Sequence, residues 1–208
     1  MRIMIDIGHP AHVHYFKNFI RMMEKKGHEF SITARDKEVA HKLLQAYDLD
    51  YVTRGKGSTY LVGKFLYIFT ADYLLFKHAK KFNPDIFLSF SSPYAAHVSK
   101  LLRKPHIAFD DTEHAKLGHY LYGPFTDVIL SPACFLTPFS KKQIFFDAYM
   151  EMCYLHPKYF MPSDQMLSDL GLTKEQKYVI LRFVSWNANH DIGQHGLSHN
   201  TKKRLISE

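Results

Sequence analysis

Cysteine is scarce: Cys134 and Cys153 are the only two in 208 residues and share no CxxC spacing. Two thiols cannot staple a chain of this length, so both are expected to be reduced and buried, in a cytoplasmic protein. No secretory leader is expected, because Met1 and Arg2 run straight into the strand-like IMIDI without a small-residue cleavage site. Long apolar runs are absent. The most apolar stretch, Tyr60 to Phe76, carries Lys64 and Asp72 and falls short of the ~20 clean residues that a membrane span requires. No internal repeat or low-complexity tract is visible. Glycine is sparse where a dinucleotide would need it: GHPAHVHYFKNF, after the first apolar run, has one glycine in place of GxGxxG, which argues against NAD and FAD.

What is present is a globular composition, 46% hydrophobic, 15% aromatic and 23% charged, which excludes wholesale disorder and fibrous classes. The net charge of +7 is spread along the chain. It suits anionic small substrates or an anionic membrane surface better than nucleic acid, which would concentrate Lys and Arg on one segment.

Short apolar runs alternate with helical periodicity. RIMIDI, EFSITA, LDYVT, DIFLSF, PHIAF and DVILS read as six strands, each followed by a helical or turn segment and punctuated by Gly27, Pro84, Pro93 and Pro105. That alternation predicts an α/β domain with a doubly wound parallel sheet. Pro132 to about Gln176 reads as irregular, with a short helix near Asp164 to Leu170. KYVILRFV (Lys177 to Val184) then reads as a further strand, and Ser198 as the cap of a last helix. The expected organisation is a Rossmann-like domain over 1–160, a linker over 161–176 and the opening strand and helix of an incomplete second domain over 177–208.

In open parallel sheets ligands bind beyond the carboxyl ends of the strands. Eight of the 14 histidines fall there: His9, His12 and His14 after the first strand, His114 and His119 after the fifth, His190, His195 and His199 after the last. An imidazole at the start of a helix offers a general base beside the N–H groups of the helix terminus. His12 and His14 point to different helix faces, so at most one of them faces a cleft. The DDTEH loop places Asp110, Asp111, Glu113 and His114 together; these read as catalytic groups, as metal ligands with the first histidine loop, or as a capping box made by Asp110 and Glu113. Ser91 and Ser92 would let a ligand backbone approach. Arg182, beside Ser185, Trp186 and Asn187, could clamp a diphosphate or form an ordinary salt bridge. Phe65, Tyr67, Phe69, Tyr73 and Phe76 read mainly as core; beside Lys77, Lys80 and Lys81 a part-exposed aromatic face would instead suit contact with a membrane surface.

IDIGHPAHVHYFKNFI, ITARDK, PDIFLSFSSPYAAHVSKLL, PHIAFDDTEHA and LRFVSWNANHDIGQHGLS together resemble the prokaryotic family catalogued as domain of unknown function 354, over nearly the whole chain. That family is similar to GT-B glycosyltransferases and to non-hydrolysing UDP-N-acetylglucosamine 2-epimerases. The resemblance implies two Rossmann-like domains, the first for acceptor and the second chiefly for nucleotide sugar, with this chain lacking most of the second. It implies phosphate-contacting or catalytic groups at Gly8, His9 and His12, with His14 alongside, at Asp110, Asp111, Glu113 and His114, and at Arg182, Ser185, Trp186 and Asn187. The implied activity is metal-independent sugar transfer in envelope or polysaccharide biosynthesis. The substrate would be a nucleotide sugar, with no further cofactor, and the acceptor a sugar or a lipid-linked sugar. A separate subunit would supply the other half, and the chain is expected to be inactive alone. An epimerase, a metal-dependent hydrolase and a non-catalytic binding fragment stand as alternatives.

Overall fold

The computed structural model describes residues 1–37, 39–58, 61–183 and 196–207, without the side chains of Leu61, Val62, Lys64 and Phe65. β1 (Arg2–Ile7) is buried almost throughout, as a strand covered on both faces must be. Its odd residues Ile3, Ile5 and Ile7 pack with Val13, Phe16 and Ile20 of α1 (Pro10–Glu24) and with Leu44 of α2 (Ala40–Ala46). Met4 faces the other way, onto Leu75 and Ala79 of α3 (Leu61–Phe82) and Val98 of α4 (Pro93–Leu101). The strand's two-residue period thus sorts its side chains between two helical layers.

β2 (Glu29–Ala34) and the two-residue β3 (Val52–Thr53) extend the sheet on one side of β1. On the other side lie β4 (Ile86–Phe90), β5 (His106–Phe109), β6 (Val128–Pro132) and β7 (Gln143–Phe146). The order is β3-β2-β1-β4-β5-β6-β7, parallel at every pairing. The winding direction reverses between β1 and β4, which opens a crevice at the carboxyl edge. α5 (Lys116–Tyr122) follows β5 and buries Tyr122 against Ala96, Ala108 and Ile129.

Several sequence expectations change. The Pro132–Gln176 stretch contains β7 and the short α6 (Met152–Leu155). β7 escapes detection because only its pairing with β6 defines it; its residues are exposed or half-buried, without a clean alternation. Cys134 is exposed, in the loop after β6, and Cys153 is half-buried on α6; neither sits in a core layer. On α3, Phe69 and Tyr73 face outward, while the Tyr67 hydroxyl turns in to Arg54; Phe65 lies outside the described side chains.

The chain divides into two compact units, Met1–Phe160 and Met161–Glu208. The second carries α7 (Gln165–Asp169) and α8 (His199–Ser207), with the Ser198 hydroxyl accepting the Thr201 N–H at 3.1 Å as a helix cap. The strand expected over Lys177 to Val184 is not formed across 177–183, which are exposed and without regular structure. A strand needs a neighbour for its N–H and C=O groups, and no strand among the described residues pairs with this segment. Val184 lies outside the described residues.

Gly57, in the loop after β3, adopts φ +78°, and a Cβ there would meet the Arg35 guanidinium at 2.8 Å. Gly57→Ala is expected to lower stability by ~1–2 kcal/mol, read from urea midpoints; a variant as stable as the parent would show that the loop relaxes freely.

Candidate functional site

At the reversal point β1 carries one acid, Asp6, in an otherwise apolar strand. It is 1% exposed and lies in register with Thr33 on one side and Ser89 on the other. A carboxylate so placed requires partners. Thr33 Oγ1 donates to it at 2.8 Å, Ser92 Oγ at 2.5 Å, and Arg54 through Nε at 2.8 Å and Nη2 at 3.2 Å. Arg54 is equally buried, gives Nη1 to the Tyr67 hydroxyl at 2.9 Å and lies 4.4 Å from the centre of the Tyr94 ring. This ion pair joins β1, the β3–α3 loop and the start of α4 directly beneath the crevice.

Above it, Gly8 ends β1 and Pro10 opens α1. His9 is the N-cap, its Nδ1 accepting the Ala11 N–H at 3.2 Å, while the His12 N–H donates to the His9 carbonyl at 3.0 Å. The amides expected to be free at this helix start are therefore engaged. The Gly8 N–H donates to His12 Nδ1 at 3.3 Å, which places the proton of the neutral ring on Nε2. The ring lies 4.8 Å from Phe90 and 6.3 Å from Tyr15. Burial, together with the charges of His9, Lys37 and Arg54, lowers its pKa from 6.5 to about 3. At neutral pH His12 is an uncharged donor through Nε2. His14 points elsewhere, with Nδ1 3.3 Å from the Tyr47 hydroxyl and its ring 5.3 Å from Tyr154.

Across the crevice Ser92 caps α4 by accepting the Ala95 N–H and gives its proton to Asp6, while Ser91 donates to the Phe109 carbonyl at 3.1 Å. Both hydroxyl protons serve the scaffold. Asp110 is buried, accepting the Thr112 N–H at 2.8 Å and the Tyr122 hydroxyl at 2.5 Å. His119 Nε2 lies 3.2 Å from the same carboxylate but outside hydrogen-bonding alignment. Because α5 begins at Lys116, Asp110 closes a local turn and no capping box forms with Glu113. Glu113 instead receives the N–H groups of Leu136 and Thr137 and anchors the loop after β6. Asp111 is the outward acid of this set. Partial burial, then Asp110 and Glu151, push its carboxyl above the usual range. Asp111, Glu113 and His114 line a small hollow with Pro132, Cys134 and Phe135. The Tyr15 phenol, pushed up by burial and by the Asp111 and Glu151 carboxylates, links the histidine loop to the acidic one.

The structure thus gathers Gly8, His9, His12, Ser91, Ser92 and the DDTEH loop along one edge and leaves His14 off it. Arg182 is exposed in the second unit; Ser185, Trp186 and Asn187 lie outside the described residues. Asp6, Arg54, Tyr15 and Tyr67 escaped sequence reasoning, although a lone acid inside IMIDI is a detectable signal. Among the described residues no three His, Cys, Asp or Glu side chains converge to hold a metal. A larger hollow lies away from the reversal point, lined by Lys116, His119, Tyr120, Phe139 and Lys142 among others; the Lys142 ammonium is held there by the Gly123, Pro124 and Thr126 carbonyls.

A family model described as Protein of unknown function (DUF354) matches residues 1–197. An uncharacterized protein of Methanocaldococcus jannaschii is 26% identical over 188 residues, which are 86% of this chain and 55% of that one. Among solved structures, MurG of Acinetobacter baumannii aligns with TM-score 0.55 at 13% identity, covering 69% of this chain and 45% of its own. UDP-GlcNAc 2-epimerase from M. jannaschii aligns with TM-score 0.53 at 13% identity, over 65% and 40%. The Neisseria meningitidis epimerase bound to UDP-GlcNAc gives 0.52 at 11%, over 63% and 40%. At these identities the likeness is one of fold. The chain spans about half the length of the relatives it matches.

Proposed function

We propose, for a chain that belongs to the DUF354 family, that its crevice is the acceptor side of a nucleotide-sugar-dependent glycosyl transfer. The observation that carries this reading is that a neutral donor, His12, and an outward acid of raised pKa, Asp111, both lie beyond strand exits on the carboxyl edge of the reversing sheet. In this scheme the Asp111 carboxylate accepts the acceptor hydroxyl proton as the acceptor oxygen bonds to the anomeric carbon and the bond from that carbon to the diphosphate oxygen breaks, releasing the nucleoside diphosphate; its raised pKa strengthens it as a base. His12 Nε2–H donates to oxygen that gains negative charge, and its neutrality keeps that donor in place across the physiological range. His9 lies beside it as the N-cap. Asp6 and Arg54 act through the loop as positioning residues. The fold likeness to MurG and to UDP-GlcNAc 2-epimerases supports a nucleotide sugar as the donor substrate.

The test is UDP release from UDP-N-acetylglucosamine by the protein supplied with a separate nucleotide-sugar-binding half, with and without sugar or lipid-linked acceptors. Acceptor-dependent release is expected. Asp111→Asn should lower kcat by roughly 10²–10³-fold with an unchanged circular dichroism spectrum. Inversion at C2 of the sugar without any acceptor would move the assignment to an epimerase, the reading that the exposed carboxylates favour next. Full activity in Asp111→Asn would remove the proposed base.

A further inference from the structure

α3 is 22 residues long, about 33 Å. One stripe, Ala71, Leu75 and Ala79, is fully buried against the sheet. The opposite arc exposes Leu66 at 60%, Phe69 at 62%, Tyr73 at 63% and Leu74 at 39%. Continuing that arc toward the C-terminus, Lys77, Lys80 and Lys81 are exposed as well. At 100° per residue all seven fall within roughly 140° of the helix circumference, cationic in the second half and apolar in the first apart from Thr70, whose hydroxyl donates to the Leu66 carbonyl. The one acid of the helix, Asp72, is turned aside to His97 Nδ1 of α4 at 2.9 Å, so no carboxylate of α3 opposes the lysines. α4 runs alongside in the same direction and ends at the same edge of the sheet, with Leu101 68% exposed between Lys100 and Arg103.

We propose that the outward arc of α3 is a membrane-surface anchor, seated on a bilayer containing anionic lipid. Leu66, Phe69 and Tyr73 enter the headgroup boundary and the lysines meet lipid phosphates. Exposed aromatic and aliphatic side chains on a globular surface mark contact sites, and the accompanying cations select what is contacted. A second copy of the chain related by a two-fold would set the lysines against lysines with the helices parallel, or against the apolar half with the helices antiparallel, whereas anionic headgroups complement both halves of the arc. No described helix is long and apolar enough to cross a membrane, so the contact lies in the plane of the surface. The arc faces away from the sheet, opposite the buried stripe of Ala71, Leu75 and Ala79, and the proposal stands independently of the reaction assigned to the crevice.

The experiment is vesicle flotation with the protein, using phosphatidylcholine alone and phosphatidylcholine mixed with phosphatidylglycerol. Flotation is expected only with the anionic vesicles and should fall with added salt. Phe69→Glu with Tyr73→Glu should abolish it, and Lys77→Ala or Lys80→Ala should each weaken it about fivefold. Circular dichroism of the same variants controls for folding; Tyr73→Gln, a milder change at an exposed position, serves if the double variant unfolds. Absence of flotation with anionic vesicles, or flotation unchanged by these substitutions, overturns the proposal. A concentration-dependent dimer that the Phe69 and Tyr73 changes disperse would assign the arc to a second copy instead.

Discussion

Replacing Arg54 by methionine lowers the free energy of unfolding by about 3–5 kcal/mol, because it strands the buried Asp6 carboxylate without its cation. Burying two charges is costly, and the pair is tolerated only because its geometry is complete. Arg54 reaches both Asp6 oxygens, at 2.8 and 3.2 Å, and Ser92 and Thr33 supply further donors. Methionine keeps the length and much of the packing against Tyr94 but removes every N–H. The companion variant, Asp6→Asn combined with Arg54→Met, retains an oxygen for the hydroxyls and carries no charge, so it should recover a large part of the loss. Urea midpoints for the two single variants and the double decide the matter. Strict additivity of the single effects, or an Arg54→Met protein as stable as the parent, would mean that the pair is not coupled.

Acid should destabilise the fold well above the ordinary carboxylate range, and His106 is the principal cause. Its ring is fully buried in β5, with Nδ1 2.9 Å from Thr126 Oγ1 and Nε2 2.9 Å from Ser89 Oγ. Thr126 gives its own proton to the Tyr122 carbonyl, so it accepts from Nδ1–H, and Ser89 donates to Nε2. That ring is neutral, and burial lowers its pKa from 6.5 to about 4, against the opposing pull of Asp127 and Asp6. Above pH 6.5 the imidazole is uncharged in both the folded and unfolded chains and has no pH-dependent effect. As pH falls from 6.5 toward about 4 the unfolded chain binds a proton that the folded one refuses, and stability drops by about 1.4 kcal/mol per pH unit. His12 acts with the same sign over a window reaching to about 3, with a smaller share because its ring is partly exposed. His97, raised first by its hydrogen bond to Asp72, works in the opposite sense: its contribution is full below 6.5 and fades as pH rises through its folded value. The net expectation is a urea midpoint that falls between about pH 7 and about pH 5. His106→Gln should be less stable at neutral pH yet show a shallower fall; a parallel fall in both proteins would clear His106 of the role.

The layout of the sheet was legible because its signals are local. RIMIDI, EFSITA, DIFLSF, PHIAF and DVILS each coincide within a residue or two with a strand, and the turn residues between them sit where the chain turns. Gly27 has φ +81°, as a helix-terminating glycine should, and Ser92 caps the helix that Pro93 begins. The gathering of the loop residues followed from the same logic, since parallel strands with helical crossovers bring every strand exit to one edge.

The roles within that edge were another matter. His9, His12 and the DDTEH acids are alike in sequence as polar residues in loops, yet Asp110 is buried against Tyr122, Glu113 holds a neighbouring loop and Asp111 faces outward. On α3, the pattern of apolar residues covers nearly the whole circumference, so periodicity could not say which aromatic residues are core and which are surface.

The amino-acid sequence by itself determined a parallel α/β domain with polar groups gathered at the strand exits, because strand, helix and turn preferences act between residues a few positions apart. Only the tertiary structure decided that Asp6 belongs to Arg54, 48 residues away, that Gly8 orders the proton on His12, and that β7 is a strand. Each of these depends on what a side chain or backbone group meets across the fold, where burial turns an ordinary acid, imidazole or unpaired amide into one whose energy depends on a distant partner.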